Sequence, residues 1–168
     1  MTARVKYVLT KEGAEWDDGG MDAIIFSAEG DMRNALNNCQ STVNGFGKVT
    51  KPNVLKVCDA PNPEKIKLAI RACTKQKFAD AYQACNKLYN IGYPGQDIVG
   101  MFWKILKTYQ NPDNSPMKEH VKLAYLKEVG VYQMRAFSQK CDMIQIGGLL
   151  GILCQQAKVL NLSPETGC

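Results

Sequence analysis

The chain has 168 residues, of which 45% are apolar and 22% are charged, and its formal net charge is +5. This composition excludes a disordered chain and predicts a globular protein with one domain or two small ones. The charge is compatible with a nucleic-acid partner but is too small to indicate one. The longest apolar run, residues 143–154, contains Gln145 and three glycines and is too short to cross a bilayer, so no membrane contact is expected.

The cysteines and the single histidine do not predict a metal site. No Cys-x-x-Cys spacing occurs, and His120 has no cysteine or second histidine within a few residues. We expect free thiols in a reducing compartment, several of them packed as small apolar groups inside helices. Those placed in apolar helical stretches are Cys39, Cys73, Cys85 and Cys154.

Residues 1–59 predict a small bundle of four helices. Apolar residues recur at helical spacing, and because little alternates with period two, no sheet is expected. Gly30 is placed to end the second helix, and Asp31 beside it is a suitable N-cap for the third. The predicted helices span 2–12, 21–28, 30–44 and 51–58.

The stretch Asp59-Ala60-Pro61-Asn62-Pro63 is the predicted domain boundary, because two prolines around one residue disfavour helix and stiffen the chain. Beyond it the pattern predicts five helices and a short tail, so the fold class is all-α. The predicted spans are 64–74, 78–90, 96–110, 117–141 and 142–159. The fourth carries Leu123, Leu126, Met134 and Phe137 as its core face. The last is apolar on almost every side, which predicts burial in its own domain or against another subunit.

Arg33 is the candidate binding residue. It lies in the first turn of the third helix, off the apolar face that begins with Met32 and Ala35. The free N–H groups and the helix dipole favour an anion there, and a guanidinium can bind a phosphate through two hydrogen bonds. From spacing alone, a solvated surface arginine is the commoner explanation.

The stretch Gly30-Asp31-Met32-Arg33-Asn34-Ala35-Leu36-Asn37-Asn38 resembles the sensor-2 motif in the helical lid of clamp-loader AAA+ ATPases. Gln40-Ser41-Thr42 and Val54-Leu55-Lys56-Val57-Cys58-Asp59 are similar to the small subunits of eukaryotic replication factor C, and to the second small subunit above all. The likeness runs from about Asp17 to about Gln156. It implies an N-terminally truncated AAA+ lid at 1–59 and a collar domain at 60–168, the part through which five subunits form a ring.

The resemblance also implies roles for the residues of the lid. Arg33 would reach the terminal phosphates of ATP, and Met32 would lie against the adenine or, as we prefer, fill the lid core. ATP and magnesium would be bound by a base domain of the parent protein, because this sequence has no Gly-x-x-x-x-Gly-Lys-Ser/Thr phosphate loop and no acidic Walker B strand. The chain is therefore expected to be a C-terminal fragment that is not an enzyme by itself.

The implied partners are the other replication factor C subunits and, through the full complex, the sliding clamp and primer–template DNA. The implied location is the nucleus, in DNA replication and repair. Two alternatives stay open. One is the lid and tetramerisation domain of a replication-maintenance AAA+ ATPase, which residues 54–59 fit less well. The other is a stand-alone helical adaptor that binds peptide helices in a groove.

Overall fold

The computed structural model describes residues 1–109, 117–138 and 141–162. Within these ranges the chain is mostly helical, with nine helices and two short strands, and it divides into two compact units, Met1–Ala60 and Pro61–Cys168. The loop expected at 111–116 and the part of the tail beyond residue 162 lie outside the described residues. In the described ranges, no helix combines the length and the apolar character that a membrane crossing requires.

The first unit is a helical bundle with a minimal sheet. Its elements are α1 (Thr2–Lys11), β1 (Glu15–Trp16), α2 (Asp18–Ala28), α3 (Met32–Phe46), β2 (Lys48–Val49) and α4 (Lys51–Val57). Every helix contributes to one apolar core, so each of the four predicted helices is confirmed. The buried core residues are Val5, Leu9, Met21, Ala23, Ile24, Ala28, Ala35, Cys39, Val49 and Val54.

The two strands correct the expectation of a unit without a sheet. They run parallel, with Glu15 paired to Lys48 and Trp16 to Val49. Strands of two residues are too short to show the alternation of polar and apolar residues by which a sequence reveals a strand. The sequence therefore contains no alternating pattern from which these two strands could be predicted.

Side chains and glycines define the ends of α3. The Asp31 carboxylate accepts hydrogen bonds from the backbone N–H groups of Arg33, at 2.8 Å, and Asn34, at 3.4 Å, which confirms the predicted N-cap. At the other end Gly47 adopts a φ of 73°, and its N–H donates to the carbonyl of Val43. A left-handed residue of this kind is a common helix stop, and glycine adopts it without a steric cost.

The second unit contains α5 (Pro63–Thr74), α6 (Phe78–Ile91), α7 (Gly95–Lys107), α8 (Glu119–Ser138) and α9 (Met143–Leu162). The helix α5 begins at the predicted boundary, with the Asn62 side chain accepting from the N–H of Glu64. It packs against α6, α7 and α9, while α8 packs against α7 and α9. The largest fully buried side chains of this unit are Ile66, Ile70, Leu88, Ile98, Phe102, Leu106, Tyr125, Ile146, Leu149 and Leu150.

The orientation of α8 contradicts the sequence pattern. The helix buries Val121, Tyr125 and Val129, whereas Leu123, Met134 and Phe137 are 59%, 67% and 68% exposed. Assigning these last three residues to the core was therefore wrong, and Leu126 is only half-buried. Both faces of α8 carry apolar residues at helical spacing, so only packing against neighbouring helices decides which face is buried.

The helix α9 buries one face in its own unit, formed by Ile146, Leu149, Leu150, Leu153 and Ala157. Two of its three glycines, Gly147 and Gly148, lie against aromatic side chains of neighbouring helices, and Gly151 does not. A Cβ at Gly147 would lie 3.4 Å from the ring of Tyr82 on α6, and one at Gly148 would lie 2.9 Å from the hydroxyl of Tyr132 on α8. At the start of α9, Ile144 is 86% exposed.

Candidate functional site

The first candidate site is the N-terminal turn of α3, where the chain turns sharply before the helix. Glu29 and Gly30 both have a positive φ, at 51° and 97°, and Asp31 then starts the helix. The Arg33 side chain is exposed. The Asp31 carboxylate accepts from the N–H groups of Arg33 and Asn34, and the exposed guanidinium of Arg33 beside it has the chemistry to bind an anion.

Met32 lies beside Arg33 but on the side of α3 that faces the core. Its side chain is half-buried and packs against the core of the first unit. This contact anchors the first turn of α3, from which Arg33 extends into solvent. Of the two residues predicted for this site, Met32 therefore contacts the core and Arg33 lies on the surface.

The second candidate site is a set of exposed apolar side chains on α8 and α9 that the sequence pattern did not predict. It consists of Leu123, Met134 and Phe137 on α8 and Ile144 at the start of α9, and we call it the α8 surface. Tyr132 lies over Gly148, close to the end of α8 at Ser138 and to the start of α9 at Met143, so the two helices form an antiparallel hairpin. Phe137 and Ile144 therefore lie at the same end of that hairpin. The sequence does carry one indication of this site, because α8 has two apolar stripes and only one of them can pack against the core of its unit.

The buried thiols offer no reactive group at neutral pH. Burial raises the pKa of Cys39 to about 11, with a smaller contribution from Cys58 nearby, and burial raises the pKa of Cys85 to about 12. A thiol is nucleophilic and binds metals as the thiolate, so these groups are unsuited to either task. Among the described residues, no group of three or more His, Cys, Asp or Glu side chains is placed to hold a metal ion.

Comparison with known proteins identifies the family. Residues 61–151 match the family model described as the replication factor C C-terminal domain. That match covers more than half of the chain and extends from α5 into α9. The chain belongs to the replication factor C family. It corresponds to the C-terminal region of a replication factor C small subunit, which confirms the resemblance inferred from the sequence.

Individual replication factor C subunits align with nearly the whole chain. Probable replication factor C subunit 2 of Dictyostelium discoideum is 42% identical over 151 residues, 90% of this chain and 43% of the relative. Replication factor C subunit 4 of Oryza sativa is 40% identical over 88% of this chain and 42% of the relative. Replication factor C subunit 2 of Arabidopsis thaliana is 39% identical over 89% of this chain and 43% of the relative. The chain thus spans less than half the length of these relatives.

Proposed function

We propose that this chain assembles a clamp loader through its second unit, which acts as the collar, and lends Arg33 of its first unit, the lid, to an ATP site. The observation that carries the assembly role is the α8 surface. It lies within the residues that match the replication factor C C-terminal domain. Its proposed occupant is the corresponding helical domain of a neighbouring replication factor C subunit.

The chemistry of the α8 surface supports an interface. Large exposed apolar patches are uncommon on soluble monomers and mark protein contacts when they occur, and Met134 and Phe137 lie one turn apart on α8. Methionine and aromatic side chains are also enriched where proteins meet. A single helix of a partner can therefore contact both Met134 and Phe137, and Ile144 lies at the same end of the hairpin.

Substitution of the α8 surface tests the collar role. The double variant Met134→Ser, Phe137→Ser is expected to weaken capture by the other replication factor C subunits by roughly tenfold or more, because two central apolar contacts are lost. Leu68→Ser is the matched control, since Leu68 is 55% exposed on α5. It should bind like the unsubstituted chain, with circular dichroism confirming that every variant is folded. Equal binding by the double variant would refute the role of this surface.

For the lid, we infer that Arg33 contacts the terminal phosphates of ATP held by the base domain of the parent protein. Its exposed guanidinium, the sensor-2 motif around it and membership of the replication factor C family support this assignment. The half-buried position of Met32 supports the core-filling role rather than contact with adenine. ATP hydrolysis is assigned to the parent protein with its magnesium ion, and not to this chain alone.

The Arg33 assignment is tested in a polypeptide that joins this chain to its ATP-binding base domain, assembled with the other subunits. Arg33→Ala is expected to lower ATP turnover by at least about tenfold, since one charge-assisted contact to the developing phosphate charge is removed. Arg33→Lys keeps the charge but loses the two-pronged contact, so it should recover only part of the rate. Full turnover by Arg33→Ala in an intact complex would overturn the assignment.

In the full complex, the sliding clamp and primer–template DNA are the proposed further partners, and the nucleus is the proposed location. The relatives from three eukaryotes that carry replication factor C names support this function over a maintenance ATPase or a stand-alone adaptor.

A further inference from the structure

The outer face of α1 carries an exposed aromatic ring flanked by two cations. The Tyr7 side chain is 53% exposed. Arg4 Cζ lies 5.2 Å from the centroid of the Tyr7 ring, and Lys11 Nζ lies 5.9 Å from it. Both distances are within the range of a cation–π interaction. We call Arg4, Tyr7 and Lys11 together the α1 surface.

The helix holds the α1 surface in one row. Its three residues are spaced by three and four positions, so they lie on one side of α1. Val5 and Leu9 lie on another side and are buried in the core of the first unit, which anchors the helix. The ten residues of α1 include three basic side chains and no acidic one. The α1 surface is therefore a positively charged row with an aromatic ring at its centre.

The third basic residue of α1 is already engaged elsewhere. Lys6 Nζ lies 4.9 Å from the centroid of the Trp16 ring and 3.8 Å from a carboxylate oxygen of Asp18. Its charge is thus partly neutralised by Asp18. The cations that remain for an anionic partner on this helix are Arg4 and Lys11, which flank Tyr7.

This arrangement suits a single strand of nucleic acid. An unpaired base can stack on an aromatic ring, while the neighbouring phosphates bind cations along a positively charged surface. The bases of a duplex are already stacked on one another, so a duplex offers this surface its phosphates but no free base face. A lipid surface fits poorly, because the apolar residues Val5 and Leu9 are used in the core and cannot enter a membrane.

We propose that the α1 surface binds single-stranded DNA, with one base stacked on Tyr7 and the adjacent phosphates bound by Arg4 and Lys11. The chemistry alone fits any single strand, and the choice of DNA rests on the proposed function, in which primer–template DNA is a partner of the full complex. The site needs neither ATP nor another subunit. It is therefore separate from the roles proposed for Arg33 and for the α8 surface.

Fluorescence anisotropy of a labelled oligothymidylate, titrated with the whole chain at low salt, tests the site. Tyr7→Ala is expected to weaken binding by at least about fivefold, because the base loses its aromatic partner, whereas Tyr7→Phe should bind like the unsubstituted chain. The double variant Arg4→Ala, Lys11→Ala should also weaken binding. It should reduce the slope of log affinity against log salt by about 1.4, which is ~0.7 for each phosphate contact to a single strand.

Two matched controls lie on the second unit. Phe78→Ala removes a ring that is 43% exposed but stacks on Tyr82, at 5.9 Å between ring centroids. The double variant Lys77→Ala, Lys87→Ala removes two exposed lysines, the same charge as the double variant on α1. Phe78→Ala should bind like the unsubstituted chain, and the lysine variant should lose less affinity than Arg4→Ala, Lys11→Ala. Circular dichroism confirms that each variant is folded.

Duplex, RNA and a polypeptide anion make the result specific. The loss caused by Tyr7→Ala should be confined to the single strand, so a duplex of the same length should bind both proteins equally. A strand that carries iododeoxyuridine should form a photochemical cross-link to the peptide that contains Tyr7. Displacement by polyglutamate as efficient as that by unlabelled oligothymidylate would overturn the site, because it would show attraction to any polyanion. Tighter binding of an oligouridylate would overturn the assignment to DNA.

The remaining outcomes separate this site from the proposed function. Unchanged binding by Tyr7→Ala, or equal losses in the two double variants, would refute the α1 surface as a stacking site. No binding of the single strand by the unsubstituted chain would refute it too. Either result would leave assembly through the α8 surface intact, because assembly is measured with the other subunits and without DNA.

Discussion

Two adjacent glycines at the start of α2 have different surroundings. A Cβ at Gly20 would lie 2.7 Å from the carbonyl carbon of Val49 and 2.9 Å from the Cα of Thr50, both backbone atoms of or beside β2. At Gly19 the nearest atoms would be 3.6 Å and 3.8 Å away, and both belong to side chains. Only Gly20 is therefore required for the close approach of α2 to the strand.

We expect Gly20→Ala to lower the free energy of unfolding of the first unit by about 2 kcal/mol or more, because backbone must move to make room. Gly19→Ala should leave it unchanged or raise it by up to ~1 kcal/mol, because alanine favours helix over glycine. Urea unfolding followed by Trp16 fluorescence in a Trp103→Phe background measures both. Equal effects of the two substitutions would contradict the described packing of α2 on β2.

The buried thiols predict a loss of stability in alkali. In the folded chain the pKa of Cys39 is about 11 and that of Cys85 about 12, against an ordinary value of 9.0. The stability that these protonated thiols contribute is fully present below pH 9 and is lost as the pH rises toward 11 and 12. The loss occurs because the same thiols ionise at a lower pH in the unfolded chain than in the folded chain. At pH 10 each thiol should reduce the free energy of unfolding by about 1.4 kcal/mol.

Urea unfolding at pH 7.5, 9 and 10 checks this effect. Tyrosines and lysines titrate in the same range, so the comparison that isolates Cys85 is the difference between the unsubstituted chain and Cys85→Ala. The variant should show a shallower decline above pH 9. Parallel pH profiles for the two proteins would mean that Cys85 is not held as a protonated thiol in the core.

At the scale of elements, α3 was the most predictable part of the chain. Both of its ends are marked by nearby residues in the sequence, Gly30 and Asp31 at the start and Gly47 at the end. Hydrogen bonds between residues close in sequence determine both ends. The boundary before α5 was predictable for the same reason, since Pro61, Asn62 and Pro63 act on their own neighbours. Arg33 could likewise be placed on an exposed first turn from sequence alone.

The orientation of α8 and the two-residue strands could not be predicted, because each depends on contacts distant in sequence. Residues 15–16 become a strand only when residues 48–49 lie beside them. On α8 two apolar stripes compete, and the neighbouring helices α7 and α9 select the one that carries Tyr125. The α8 surface could therefore not be predicted from the sequence, because it depends on how α8 packs against α7 and α9.

A pair of truncations on α8 tests which stripe is buried. Val129→Ala removes fully buried methyl groups and should lower the free energy of unfolding by about 2 kcal/mol. Phe137→Ala removes a larger side chain that is mostly exposed, and should change it by less than about 0.5 kcal/mol. Urea unfolding followed by Trp103 fluorescence measures both. If Phe137→Ala lowered the free energy of unfolding more than Val129→Ala, the stripe predicted from the sequence would be the buried one.

At the scale of the whole molecule, the chain consists of two compact units with separate proposed tasks. The second unit contains the residues that match the replication factor C C-terminal domain, and it exposes the α8 surface. The first unit presents Arg33 on a capped helix end. Assembly and nucleotide contact are thus proposed for different parts of the chain, so variants in one unit should leave the other task intact.

The most direct test of the central claim is co-expression of this chain with the remaining replication factor C subunits, followed by size-exclusion chromatography with light scattering. We predict a complex whose mass includes one copy of the chain, and its loss when Met134 and Phe137 are both replaced by serine. Arg33→Ala should assemble normally. If the chain elutes alone while a full-length relative assembles with the same subunits, the collar role proposed for the second unit is wrong.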